Sequence, residues 1–182
     1  QGVIIPPKPL SFALRAVKPD TDLEVSMNDS HLCISTDNMQ VFSKLIEGPY
    51  PKYQSVIPQQ FEKTAIAPRD EFIAVVNRVA TMANARTRQI KLSFNSGSAE
   101  VSTRNQDIGG KSQENVSLQY EGESGFPISF NASFLSDILK MCPSDEVKFK
   151  MNTSVGACVI EPIGEGLDFF FLIMPLRLTE ES

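Results

Sequence analysis

The sequence predicts an α+β protein built from repeated units, each a helix followed by antiparallel strands. The main observation is that an amphipathic helix, a strand, an asparagine-containing turn and a second strand occur in this order three times. The related strand-to-turn segments begin at Leu23, Ile90 and Val147. These segments alternate apolar and polar residues, which is typical of antiparallel strands with one face in a core. Internal repeats are a specific signal, so we expect the three units to share one architecture.

The first unit is predicted to begin with a helix over Pro6–Val17, because prolines at its start cost few hydrogen bonds. Its apolar face carries Leu10, Ala13, Leu14 and Val17, and we expect it to pack on the strands of its own unit. A hairpin is predicted around Asn28-Asp29-Ser30, followed by a strand over Gln40–Ile46.

The second unit is predicted to begin with a helix from near Pro68 to about Ala83. Its apolar positions recur at helical spacing, at Phe72, Val75, Val76, Val79 and Met82. A hairpin follows around residues 95–98. The stretch Gly109-Gly110-Lys111 is predicted to be a loop, and Ser117–Tyr120 a further strand.

The third helix is predicted to begin after Asn131, whose side chain suits an N-cap. Its predicted apolar face comprises Phe134, Leu135, Ile138, Leu139 and Cys142, and a hairpin over 146–160 follows. The chain closes with the apolar run that starts at Phe171, predicted to be a strand buried on both faces and ended by Pro175.

The residues after Pro175 have two interpretations. Leu176, Arg177 and Leu178 could pack on the core as the end of the last sheet, which is the usual fate of apolar residues. They could instead form one wall of an apolar groove for a partner peptide.

Composition and charge exclude several classes of function. A net charge of −5 argues against nucleic-acid affinity over the whole surface. No apolar stretch is long enough to span a bilayer, and the first residues lack the features of a signal peptide. The three cysteines have no metal-ligand spacing, so we expect reduced thiols and a cytoplasmic protein. No metal or nucleotide motif is present, and no cofactor is predicted.

Catalysis is not the favoured interpretation. His31 and Cys33 could share a strand face, but a Cys–His pair also needs an orienting third group and a pocket. An α+β enzyme with a cleft between the repeats stays the alternative. Cationic residues gather on the helices of an acidic protein, which indicates a segregated electrostatic field, although solvated helix charge is nearly as good an account of any one of them. The candidates for this cationic surface are Arg15, Lys18, Arg69, Arg78 and Lys140.

Four motifs make the chain resemble a known family. They are Val3-Ile4-Ile5-Pro6, the segment Lys44-Leu45-Ile46-Glu47-Gly48-Pro49-Tyr50-Pro51-Lys52-Tyr53 with Val56-Ile57-Pro58, Phe130-Asn131-Ala132-Ser133-Phe134-Leu135, and Met174-Pro175-Leu176-Arg177-Leu178. In this order they resemble the bacterial DNA polymerase III beta subunit family, the sliding clamps. The resemblance covers the chain up to Leu178.

The resemblance implies the DNA clamp fold, with antiparallel sheets outside and helices on the DNA-facing side. It implies that residues 1–57 are the second half of the middle clamp domain, that residues 58–178 are the C-terminal domain, and that 179–182 are a polar tail. The N-terminal domain and the first half of the middle domain have no counterpart in this sequence. Residues 1–57 of two copies are therefore expected to pair with two-fold symmetry. The alternative is that this half packs on its own C-terminal domain.

The resemblance also implies a function and its residues. Family clamps are non-catalytic processivity factors that encircle duplex DNA as head-to-tail homodimers in the bacterial cytoplasm. They bind the polymerase III alpha subunit, the clamp loader and other proteins through a short motif with a glutamine and bulky apolar residues. The implied groove comprises Pro51, Val56, Asn131, Phe134, Val155, Ala157, Leu172, Met174, Pro175, Leu176, Arg177 and Leu178. The ring contact would involve Thr81 and Met82. A peptide-binding scaffold that forms no ring remains an alternative.

Overall fold

The structure is a computed structural model that describes residues 2–18 and 20–178. Its three α-helices are α1 (Pro7–Ala16), α2 (Arg69–Ala80) and α3 (Ala132–Met141), and a 3₁₀ helix spans Tyr53–Val56. Its strands are β1 (Glu24–Met27), β2 (His31–Thr36), β3 (Met39–Lys44), β4 (Lys63–Pro68), β5 (Gln89–Asn95), β6 (Ser98–Asn105), β7 (Gly110–Ser117), β8 (Gln119–Glu121), β9 (Phe126–Asn131), β10 (Glu146–Met151), β11 (Cys158–Pro162) and β12 (Phe171–Ile173). The predicted tail 179–182 lies outside the described residues.

The chain divides into two compact units, one ending at Tyr53 and the other beginning at Gln54. Each of the three predicted repeats is present: α1 precedes β1 and β2, α2 precedes β5 and β6, and α3 precedes β10 and β11. Asparagine shapes the first turn, since Asn28 Oδ1 accepts hydrogen bonds from the backbone N–H groups of Ser30 and His31 at 3.0 and 2.8 Å.

Unit 1 is a single three-stranded sheet, ordered β1-β2-β3, with α1 against it. Its core is small and consists of Ala13, Leu32, Ile34 and Leu45, with Ile5 and Val41 packed beside them. Ile4 pairs with Ile46 in an isolated antiparallel bridge. Little apolar area is therefore removed from water in this unit.

The prediction that the first helix buries its apolar face on its own strands is wrong for most of that face. Ala13 is buried, but Leu10 is exposed and Leu14 is 80% exposed. Val25 and Met27 of β1 pair with Ile34 and Leu32 and so share their sheet face, yet both are exposed. Among the described residues of unit 1, nothing covers this side of β1 or the outer side of α1.

Unit 2 contains two sheets, a five-stranded one ordered β12-β11-β10-β4-β8 and a four-stranded one ordered β7-β6-β5-β9. The strand before each helix joins the sheet formed by the other half. Thus β4, before α2, pairs with β10, and β9, before α3, pairs with β5. This exchange joins the two halves through backbone hydrogen bonds, so each sheet contains strands from both halves.

The core of unit 2 lies between these sheets and the two helices. Phe72 and Phe149 pack ring against ring with centroids 5.2 Å apart, and both are fully buried. The helices also contact each other through a hydrogen bond, in which Ser136 Oγ donates to Asn77 Oδ1 at 3.0 Å. On α2, Phe72, Val75, Val76 and Val79 are buried as predicted. The helix ends at Ala80 rather than near Ala83, so Met82 lies beyond it and is only half-buried.

Two elements of unit 2 differ from prediction. Gly110 and Lys111 begin strand β7 rather than forming a loop. The strand was not predicted because β7 is an edge strand with mostly polar residues, so it shows little alternation of apolar and polar side chains. The terminal run is not buried on both faces. β12 is the edge strand of its sheet, and Phe171 and Leu172 are only half-buried.

Two single residues also differ. Phe134 is 64% exposed, although it was predicted on the buried face of the third helix. It lies in the first turn, where α3 has just left the sheet, while Leu135 and Leu139 face the core. Val155 lies in the turn before β11 rather than in a strand.

Candidate functional site

The segment after β12 joins the two sheets of unit 2. Ile173 is buried and pairs with Cys158 in the five-stranded sheet. Three residues later, the backbone N–H of Leu176 donates to the Ser129 carbonyl of the four-stranded sheet at 2.8 Å. Gln89 Nε2 then donates to the Arg177 carbonyl at 3.0 Å. The segment is held at both ends, and Met174 between them is 53% exposed.

Several large apolar side chains predicted for the groove are accessible. Phe134 and Val155 are both 64% exposed. Val56 and Arg177 are exposed as well, while Leu172, Pro175, Leu176 and Leu178 are half-buried. Ala157 is buried. An apolar surface that stays exposed on fixed backbone is typical of a binding site.

Asn131 has a structural role that occupies its whole side chain. Its Oδ1 accepts from the backbone N–H groups of Ser133 and Phe134, which caps α3 as predicted. Its Nδ2 donates to the Thr87 carbonyl at 3.0 Å. Asn131 thereby fixes the start of α3 and the backbone on which Phe134 is presented.

The predicted groove residues fall in both units. Pro51 belongs to unit 1, and the remaining candidates, from Val56 to Leu178, belong to unit 2.

The predicted cationic surface contains residues with different surroundings. Arg69 has a side chain only 21% exposed; it pairs with Asp70 at 2.9 Å and donates to the Cys142 carbonyl, joining the start of α2 to the end of α3. Lys140 is more accessible, and its ammonium group lies 3.9 Å from Asp137. Arg15 Nε donates to the Ser11 carbonyl one turn earlier, and Lys18 is exposed.

Arg78 forms a two-pronged ion pair with Glu114 of β7. Its Nη2 and Nε donate to Glu114 Oε2 at 2.7 and 3.0 Å. The hydrogen bonds from the guanidinium lower the pKa of Glu114 and raise the pKa of Arg78. The pair ties α2 to the edge strand, so Arg78 is less available for a phosphate than its position on the helix predicts.

Thr81 and Met82 lie just after α2, beside the start of β7. The Met82 side chain occupies the space over Gly110, where a Cβ would meet it. Ile108 nearby is exposed. β7 is the outer strand of its sheet, so one of its edges is unpaired among the described residues.

The imidazole of His31 contacts a serine at the hairpin turn. His31 Nδ1 lies 2.8 Å from Ser30 Oγ at the exposed hairpin turn, and Cys33 lies on the next strand position of that face. None of the three cysteines is in a disulfide. Burial raises the pKa of the Cys142 and Cys158 thiols, which keeps both protonated.

Clustered metal ligands and membrane-spanning helices are absent from residues 2–18 and 20–178. No group of three or more His, Cys, Asp or Glu side chains is placed to hold a metal ion. No helix in that part of the chain has the length and apolar character needed to cross a membrane.

Comparison with known proteins identifies the family. Residues 54–177 match the family model described as the DNA polymerase III beta subunit, C-terminal domain. The chain belongs to the DNA polymerase III beta subunit family. The match covers nearly the whole of unit 2, from its first residue to the end of the segment that bridges its sheets.

Individual members of the beta subunit family extend the similarity over unit 1. The beta sliding clamp of Synechocystis sp. is 29% identical over 183 residues, covering 98% of this chain and 46% of the relative. That of Rickettsia bellii is 30% identical over 190 residues, covering 97% of this chain and 50% of the relative. The chain thus spans about half the length of the curated relatives it matches.

Solved clamp structures share the fold. A sliding clamp from Bartonella birtlesii bound to griselimycin superposes with a TM-score of 0.82 at 28% identity, covering 98% of this chain and 48% of that one. The sliding clamp from Caulobacter crescentus gives 0.81 at 28% identity, covering 98% and 47%. The expected clamp fold is confirmed.

Sequence reasoning missed one polar surface of this chain. Lys91, Arg104 and Lys111 lie on the outer face of the four-stranded sheet, around an open concavity of about 680 Å³. The signal was present as cationic residues on neighbouring strands. It could not be used without the register of β6 and β7, because residues 109–111 were predicted to be a loop.

Proposed function

We propose that this chain is the C-terminal portion of a sliding clamp, a non-catalytic processivity factor that encircles duplex DNA and tethers the replicative polymerase. Family membership supports the class of function. The observation that carries the proposal at the level of residues is the segment 173–176, held by both sheets with Met174 exposed between its two anchors.

The proposed groove lies along this segment. Met174, Leu176 and Phe134 would bury the bulky apolar side chains of a partner motif, at roughly 25 cal/mol per Å² of apolar area. The backbone carbonyls of Met174 and Pro175 would accept from the motif's glutamine. Because the segment is fixed before binding, little conformational entropy is lost when a peptide docks. The full proposed set is Pro51, Val56, Asn131, Phe134, Val155, Ala157, Leu172, Met174, Pro175, Leu176, Arg177 and Leu178, with Asn131 acting by positioning Phe134.

The groove proposal is tested with a fluorescent peptide that carries a glutamine followed by bulky apolar residues. Met174→Ala combined with Leu176→Ala should weaken binding about tenfold or more, because both changes truncate the same wall. Met141→Ala is the control, since Met141 is another exposed methionine, 68% against 53% for Met174, at the far end of α3. Equal binding by the double variant and the wild type would refute the groove.

Duplex DNA is the second proposed partner, held by weak phosphate contacts rather than base recognition. Lys140, Arg15 and Lys18 are the stronger candidates, because Arg78 and Arg69 are engaged by Glu114, Asp70 and the Cys142 carbonyl. Replacing Lys140 by Gln should lower duplex affinity equally for all sequences. It should also reduce the slope of the logarithm of the binding constant against the logarithm of the salt concentration by about one. An unchanged salt slope would remove Lys140 from this surface.

The ring contact is proposed at the unpaired edge of β7, together with Thr81 and Met82. A strand from the neighbouring protomer would add to this edge, and Met82 and Ile108 would supply apolar contact beside it. The proposed assembly is a homodimeric ring in the bacterial cytoplasm, at the nucleoid. Its proposed partners are the polymerase alpha subunit, the clamp loader and other motif-bearing proteins. Residues 1–57 are proposed to be the second half of the middle domain.

A further inference from the structure

The outer face of the four-stranded sheet carries a cationic basin on an otherwise acidic protein. The basin is the concavity of about 680 Å³, which is large enough for several side chains. Its charged lining is four cations, Arg86, Lys91, Arg104 and Lys111, against one carboxylate, Asp107, a local balance of +3. The chain as a whole has a net charge of −5. The sign of the charge is therefore reversed at this place.

Two of these cations are arranged unfavourably unless an anion binds. Arg104 of β6 and Lys111 of β7 are direct cross-strand partners. Like charges directly opposite each other destabilise a sheet. None of the four basin cations forms an ion pair with another described residue. The cations that do form such pairs are Lys44, Lys63, Arg69, Arg78, Lys140 and Lys150. The carboxylate of Asp107 accepts from Asn84 Nδ2 at 2.7 Å instead.

An independent observation at the same place is a buried hydroxyl without a partner. Ser129 lies on the outer face of β9, directly opposite Lys91 of β5, and it lines the basin. It is 1% exposed, and its Oγ has no hydrogen-bond partner among the described residues. A buried hydroxyl normally has one. Ser129 Oγ could donate to an anion held by Lys91.

The basin is continuous with the groove proposed above. Leu178 lines it, and the segment before Leu178 is attached to its wall by the bonds from Leu176 to Ser129 and from Gln89 to Arg177. A peptide that continued along this segment past Arg177 would reach the basin at Leu178. None of the fourteen lining residues is aromatic, so the stacking platforms that bind single-stranded nucleic acid are missing from this lining.

We propose that this basin binds the acidic residues that flank the apolar motif of a partner peptide. The proposal rests on the proposed peptide-binding function and adds to it a second, electrostatic determinant of partner choice. The apolar groove would accept any peptide with the motif, and the basin would favour those with Asp or Glu beside it.

The test compares three peptides with the same apolar motif: one with neutral flanks, one with two glutamates on its N-terminal flank and one with two on its C-terminal flank. At low salt, one acidic peptide should bind about five- to tenfold more tightly than the neutral one. The gain should decline as salt is raised, since exposed charges are screened. Arg104→Gln combined with Lys111→Gln should abolish the gain and leave neutral-peptide affinity unchanged.

The matched control is Lys8→Gln combined with Lys44→Gln, which removes the same charge from exposed residues of unit 1. It should preserve the gain. Circular dichroism of the basin variant should match the wild type, because relieving two opposed like charges does not threaten the sheet.

The outcomes separate the two proposals. Failure of the neutral peptide to bind would refute the groove. Binding of the neutral peptide with no gain for either acidic peptide would refute the basin alone. A gain that the Lys8 and Lys44 control also loses would reduce the basin to a general effect of net charge. If a single-stranded oligonucleotide displaces the acidic peptide at a concentration below that of the peptide itself, the basin would be reassigned to nucleic acid.

Discussion

The helices α1 and α3 have the same length and occupy the same place in their repeats, but they differ in what covers them. α3 buries Leu135 and Leu139 completely, whereas α1 buries Ala13 and leaves Leu14 exposed. The difference lies in the neighbouring half. In unit 2, α2 and β4 come from the first half and cover α3 and β10. The described part of unit 1 has no such half, so its helix and the edge of β1 stay open.

An amphipathic helix thus specifies which face is buried without specifying the partner that covers it. Strand exchange in unit 2 provides a second sheet, and the core between the sheets contains four fully buried phenylalanines. The single sheet of unit 1 has a core of four small or medium apolar residues. Stability should therefore be concentrated in unit 2.

The largest expected difference between the two units is in the stability lost when a helix leucine is truncated to alanine. Leu135→Ala should lower the unfolding free energy of unit 2 by about 2–5 kcal/mol, because the cavity lies in a dry core. Leu14→Ala, the matched change on α1, should alter stability by no more than about 0.5 kcal/mol. Urea unfolding followed by circular dichroism measures both. A similar loss for the two variants would show that Leu14 is covered in solution and that α1 is packed as well as α3.

The next difference is in thiol chemistry. Cys33 in unit 1 is partly exposed, while Cys142 and Cys158 in unit 2 are buried with raised pKa values. Cys33 should react with iodoacetamide at least about a hundredfold faster than the other two, because a buried thiol is alkylated only after local opening. Peptide mapping by mass spectrometry gives the three rates, and Cys33→Ser is the control. Equal rates would mean that unit 2 opens as readily as unit 1.

A smaller effect is expected at the helix caps. The side chain of Asn131 caps α3, whereas α1 begins at prolines and has no side-chain cap. Asn131→Ala should cost about 1–2 kcal/mol of stability and weaken peptide binding by releasing the backbone of Phe134. Asn131→Asp keeps the acceptor and should recover most of the stability. If Ala and Asp cost the same, the bond to the Thr87 carbonyl matters more than the cap.

The smallest effect is expected from the Arg78–Glu114 pair, which only unit 2 has. Folding lowers the pKa of Glu114 below its ordinary value of 4.5. Its stabilising contribution is therefore complete above that pH and is lost as the pH falls through the lower folded-state pKa. Hydrogen exchange of β7 should increase in Glu114→Gln at pH 7, and the difference from wild type should vanish in acid. Glu100→Gln, on the other face of this sheet, should show no such pH-dependent difference.

The periodicity of single elements could be predicted from the sequence alone. The buried face of α2, the cap at Asn131 and the turn at Asn28 follow from local spacing and from side chains that bond nearby backbone, and all three are confirmed. The three repeats are also confirmed, because each consists of neighbouring residues.

Only the tertiary structure decided which strands join which sheet and what covers each face. Phe134 is exposed in the first turn of α3, and β12 is an edge strand because β11 is its only neighbour among the described strands. The cationic basin exists because the register sets Arg104 opposite Lys111 and Lys91 opposite Ser129. Pairings of this kind join residues distant in sequence, and local spacing carries no information about their register.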